Sequence, residues 1–115
     1  MPLLKLQTSE PVAGDRRAGL LAAASRLLAE TTGKPEKYVM VTLAAGEILM
    51  AGQPGPAAFL DIRGIGGLTP DVNRRVADAF CRLLQDRLGI PPGRVYITFQ
   101  DVPATHWGWD GATFG

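Results

Sequence analysis

Two kinds of apolar alternation run along the chain, and each occurs twice. Leu20, Leu21, Ala24, Leu27 and Leu28 recur at i, i+1, i+4, i+7 and i+8, with Arg16, Arg17, Arg26 and Glu30 off that stripe, which predicts an amphipathic helix over 15–31. Val72, Val76, Phe80, Leu83 and Leu84 make a second stripe. Thr69 stands where an N-cap belongs and Pro70 at the first helical position, so a second helix is predicted over 70–88. Short β-rich runs flank each helix, 3–8 and 57–63 before, 38–43 and 94–99 after.

The duplication is visible in the residues themselves. Gly33-Lys34-Pro35 through Thr42 can be laid on Gly89-Ile90-Pro91 through Thr98 at an offset of 56 (89 − 33). In both copies a helical pattern stops at Gly, a Pro follows two residues later, and a strand pattern begins just after. Each unit reads strand, helix, strand. A crossover helix joins parallel strands right-handedly, so the expected fold is α+β: two β-α-β repeats forming one four-stranded mixed sheet with two helices on one face. In 38–43 and 94–99 apolar residues point both ways, whereas two helices cover only one face. The other face is expected to be buried against further copies of the chain, which makes a homo-oligomer.

Composition removes several function classes. With 115 residues, 46% hydrophobic and 20% charged, the chain has the size and makeup of one globular domain. Twelve Lys+Arg against eleven Asp+Glu, with no basic stripe interleaved with aromatics, argue against nucleic acid as a partner. No apolar run approaches the ~18 residues of a membrane helix and no secretory leader is visible, so no membrane association is expected. The chain is placed in the cytoplasm unless a route without a signal peptide exports it. One cysteine, Cys81, and one histidine, His106, give no internal disulfide and no metal site. Cys81 reads as a buried small hydrophobe in the second helix, and His106 as a surface or packing residue.

Four features carry candidate chemistry. Pro2 follows Met1, and the initiator Met is usually removed before so small a residue; the trimmed chain begins with a secondary amine at the head of a predicted strand. Burial and a nearby cation would lower the pKa of that amine toward the range of a general base at pH 7. Lys34, one of three lysines against nine arginines, sits in the turn after the first helix. It suits either a substrate carboxylate or the negative end of that helix. Gly64-Ile65-Gly66-Gly67 offers free backbone N–H groups before a helix start, or simply a strand-to-helix turn. The tail from His106 to Gly115 holds Trp107, Trp109 and Phe114, aromatics that suit an interface or the wall of an apolar pocket.

Taken in order, Met1-Pro2, Thr32-Gly33-Lys34-Pro35, Ile65-Gly66, Asn73-Arg74, Asp86-Arg87-Leu88, Arg94-Val95-Tyr96-Ile97 and Gly108-Trp109 with Thr113-Phe114 resemble the macrophage migration inhibitory factor family across essentially the whole chain. The resemblance implies a single tautomerase-like domain over 1–115, assembling as a homotrimer whose three sheets line a central channel. It implies a keto–enol tautomerase of phenylpyruvate-like α-keto acids that needs no cofactor. Pro2 would be the catalytic base. Lys34 and the backbone of Ile65 would hold the substrate's acidic end. Tyr96 would come from a neighbouring subunit, and Tyr38, Trp109 and Phe114 would line the pocket. The chain departs from the family's human-type members at Thr98, where they have Asn, and at Trp107, where they have a small aliphatic, so both are expected to reshape the pocket. The thiol CxxC of some members falls at 57–60, where there is no cysteine. The resemblance also implies an alternative role, a cytokine-like protein that engages a receptor and carries the pocket as an inheritance.

Overall fold

The computed structural model describes residues 1–115 and has the two-layer architecture that the repeat implies. Strand β1 (Leu3–Thr8) leads to helix α1 (Gly14–Thr32) and strand β2 (Met40–Ala45); strand β3 (Ala58–Gly64) leads to helix α2 (Pro70–Leu88) and strand β4 (Val95–Asp101). The sheet order is β2-β1-β3-β4, parallel within each repeat and antiparallel between β1 and β3. A pseudo-twofold axis therefore passes between the two central strands.

Helix α2 starts and stops for local reasons. The Thr69 hydroxyl accepts the Val72 N–H, Pro70 occupies the first turn, and Gly89 at φ +67° returns its N–H to the Gln85 carbonyl. Helix α1 ends the same way at Gly33, φ +71°. Between the helices and the sheet lies the core, with Leu4, Leu6, Leu20, Leu28, Leu60, Ile62, Val76, Phe80, Leu84 and Ile90 all buried. Cys81 is half-buried, not buried as expected, because Phe80 and Leu84 take the core-facing side of α2.

Two expectations about the sheet are corrected, and the tail gains an element. Tyr38 and Arg94 lie outside the strands: Glu36–Tyr38 and Pro92–Arg94 are single 3-10 turns, closed by Val39 N–H to Glu36 and by Arg94 N–H to Pro91, so β2 and β4 begin later. The tail, to which the sequence assigned no element, forms a hairpin, β5 (Gly108–Trp109) with β6 (Ala112–Thr113). Finally, the sheet face away from the helices is only partly apolar. Val39, Val41, Leu43, Val95, Ile97 and Phe99 pack toward the core. The opposite face carries Met40, Phe59 and Tyr96 at its two ends, and across its middle the row Thr42-Lys5-Asp61-Thr98. A polar middle row suits a face lining water more than one sealed in a dry interface.

Candidate functional site

One end of the sheet gathers segments of both repeats: the head of β1, the turn before β2, and the loop leaving β3. Pro2 is buried there, and its carbonyl accepts the Met40 N–H at 3.1 Å, which ties the heads of β1 and β2 together. The loop after β3 is pinned at both ends, at Gly64 by the Val102 N–H (2.8 Å) and at Leu68 by the Asn73 side-chain amide (3.4 Å). Between those pins the Lys34 ammonium donates to the Ile65 carbonyl oxygen at 3.2 Å. The Ile65 N–H donates to no group of the chain.

Lys34 is half-buried and takes no part in the chain's ion pairs, which are Arg63–Asp61, Arg74–Asp71 and Arg82–Asp78. No carboxylate of the chain pairs with it, and its charge acts on the amino terminus. Burial first, and the Lys34 cation second, hold the Met1 amine below its ordinary value, since both disfavour its protonated form.

An aromatic wall stands beside this end. Trp109 meets Tyr38 edge-on, ring centroids 6.3 Å apart, and stacks on Phe114 at 5.8 Å with the planes 8° apart. The tail hairpin sets that stack: Asp110 at φ +53° and Gly111 at φ +78° make the two-residue turn between β5 and β6. Lys37 covers the Tyr38 ring at 5.0 Å. Trp109 nonetheless stays 58% exposed, so the wall has an open side. Trp107 is half-buried and joins none of these ring contacts; its carbonyl accepts the Phe114 N–H.

The fold thus brings together Pro2, Lys34, Ile65, Tyr38, Trp109 and Phe114. Tyr96 and Thr98 do not join them. Tyr96 pairs with Phe59, which pairs with Gln7, and Gln7 lies four residues along β1 from Leu3, about 13 Å at the usual strand rise. Two strand spacings separate β4 from β1 as well. Tyr96 of a chain therefore lies far from that chain's own Pro2. Thr98 donates to Asp61 at 3.3 Å, and Asp61 in turn receives Arg63, so Thr98 belongs to the polar outer face.

One contributor escaped the sequence reading. The Asp110-Gly111 pair is a strong hairpin signal between short β-like runs and was legible as such.

Comparison with known proteins agrees with this architecture. The family model described as Macrophage migration inhibitory factor (MIF) matches residues 1–115. The macrophage migration inhibitory factor of Rattus norvegicus is 36% identical over 115 residues, covering 99% of each chain. Among solved structures, the homologue from Prochlorococcus marinus superposes with a TM-score of 0.92 at 40% identity, covering 98% of this chain and 99% of that one. A fused 4-OT protein described as a symmetric trimer shares the fold at 22% identity, with a TM-score of 0.85, 96% of this chain and 94% of its own being covered.

Proposed function

This chain belongs to the macrophage migration inhibitory factor family, and from that premise we propose that it is a keto–enol tautomerase of phenylpyruvate-like α-keto acids, with Pro2 as its base. The observation that carries this reading is the half-buried Lys34 ammonium, in none of the chain's ion pairs, which donates to the Ile65 carbonyl and whose charge lowers the pKa of the amino terminus. With its carboxylate set against Lys34 and the free Ile65 N–H, a phenylpyruvate-like substrate would turn the CH2 carbon beside its ketone toward the head of β1 and its ring toward Tyr38, Trp109 and Phe114.

Removal of Met1 turns the Pro2 nitrogen from an amide into a secondary amine. In this reading burial and Lys34 act on that amine in the same direction as on the Met1 amine, lowering its pKa toward that of a general base. Neutral Pro2 takes the proton α to the carbonyl, the electron pair left on carbon forms the enol double bond, and the prolinium returns the proton to the oxygen. One positioned acid–base group contributes roughly 10²–10⁴-fold. Fixing the carboxylate adds to this by positioning.

The assembly in this reading is a homotrimer with its sites between subunits, because Tyr96 reaches a Pro2 only across an interface. The test is mass spectrometry of the N-terminus beside a phenylpyruvate tautomerisation assay. Trimmed protein is expected to turn over, and trimmed Pro2→Gly to lose most of kcat/KM at little cost in Tm. Trimmed wild-type protein with no turnover overturns the proposal.

A further inference from the structure

A side chain built at Gly67 meets Lys34 and little else. An added Cβ would stand 3.1 Å from Lys34 Cε and 3.3 Å from Nζ, closer than ordinary van der Waals contact. Gly67 sits at φ +81°, so the backbone has turned its open side toward the lysine stem. The neighbouring Gly66 has nearly the same conformation, φ +71°, yet a Cβ there meets nothing within 4 Å. The loop itself has little freedom to retreat, being pinned at Gly64 and Leu68.

Resting on the tautomerase reading above, we infer that Gly67 is a positioning residue of the carboxylate clamp: the gap it leaves lets the Lys34 stem cross the loop and seat its ammonium on the Ile65 carbonyl. A methyl group at this position shifts the flexible end of Lys34 before it shifts the pinned backbone. Lys34 must give by a few tenths of an ångström, which stretches its 3.2 Å bond to the Ile65 oxygen and moves the ammonium off the place where the substrate's carboxylate is met. The catalytic base is untouched, so the loss falls on substrate binding and on the electrostatic influence of Lys34 at the amino terminus.

The experiment compares Gly67→Ala with Gly66→Ala in the trimmed protein. Both place alanine at positive φ, so both carry backbone strain, and they differ in the contact with Lys34. Two readouts are taken: KM and kcat for phenylpyruvate, and the pKa of the terminal amine followed by NMR. We expect KM in Gly67→Ala to be about tenfold above that of Gly66→Ala, the scale of a displaced charge-assisted hydrogen bond, with similar kcat and a higher amine pKa. In a Lys34→Ala background the difference between the two glycine variants should vanish. Equal KM and equal amine pKa in the two variants overturn the inference, as does a difference that persists without Lys34. Absence of turnover in wild-type protein sinks the tautomerase reading instead, and the amine titration then still decides where Gly67 holds Lys34.

Discussion

Lys34 stands two residues beyond the end of α1, where a cation ordinarily serves the helix, yet its ammonium reaches the Ile65 carbonyl in the other repeat. A charge serving the helix terminus would lie over the last carbonyls of α1. The two roles predict different losses in Lys34→Ala. A helix-end charge costs about 0.3–1 kcal/mol of stability and leaves the kinetics alone. A carboxylate clamp raises KM for α-keto acids and moves the pH profile of kcat/KM. The sign of that movement is fixed: a cation lowers the pKa of a neighbouring amine, so its removal raises the kinetic pKa and moves the active limb to higher pH. The shift should be incomplete, because burial is the larger cause and survives the substitution. Stability follows the same linkage. Between the lowered pKa and the unfolded value near ~8, the unfolded chain binds more protons, so stability rises with pH across that window. Lys34→Ala narrows the window from below. A pH–rate profile and a pH series of Tm on one preparation check both, and an unmoved profile removes Lys34 from the site.

The repeat explains why the sheet has two pseudo-equivalent ends but only one candidate site. An offset of 56 carries α1 (Gly14–Thr32) onto α2 (Pro70–Leu88), and the turn Glu36–Tyr38 onto Pro92–Arg94. It also carries Pro2 onto Ala58, Lys34 onto Ile90, Tyr38 onto Arg94, and Ile65 back onto Ser9. At the second end Ile90 is fully buried, the Ser9 hydroxyl and the Ala57 backbone exchange hydrogen bonds, and Arg94 donates to the carbonyls of Pro56, Met50 and Gln53. Those contacts close it. The helices and the repeat were legible because Gly and Pro mark local backbone events and the stripes report one buried face. The distance between Tyr96 and Pro2 was not, since it depends on the antiparallel β1–β3 pairing, which no local pattern displays. The aromatic wall offers a test at this scale. Gly111→Val puts a β-branched residue at φ +78°, which should cost about 1–2 kcal/mol locally and release the Trp109 stack. KM for an aromatic keto acid should rise several-fold, whereas Tm falls little, because the hairpin lies outside the core. Near-UV circular dichroism reports the stack directly, and unchanged KM with a lost stack would remove Trp109 and Phe114 from the pocket.

At the scale of the whole molecule, β2 and β4 are both free edges of the four-stranded sheet, and Met40 and Tyr96 project from them 61% and 67% exposed. Edges of this kind are ordinarily covered. In a closed ring of three chains each β4 can lie against the next chain, and the polar row of Lys5, Asp61 and Thr98 then faces inward around the axis. Sedimentation should show one species of about three times 12.2 kDa. A stronger test uses the separation of Tyr96 from its own Pro2. In the proposed site, trimmed Pro2→Gly replaces the proline base with a primary amine and Tyr96→Ala removes the neighbour's contribution, so each homotrimer should be impaired. When the two are co-expressed, a site is restored wherever a Tyr96→Ala chain supplies Pro2 and a Pro2→Gly chain supplies Tyr96. Random assembly at equal amounts makes that combination in about a quarter of the interfaces of a cyclic ring. Activity should therefore recover to about a quarter of wild type, well above either parent. Were each site built from a single chain, every site in the mixture would carry one lesion or the other, and no recovery could occur however the chains were mixed.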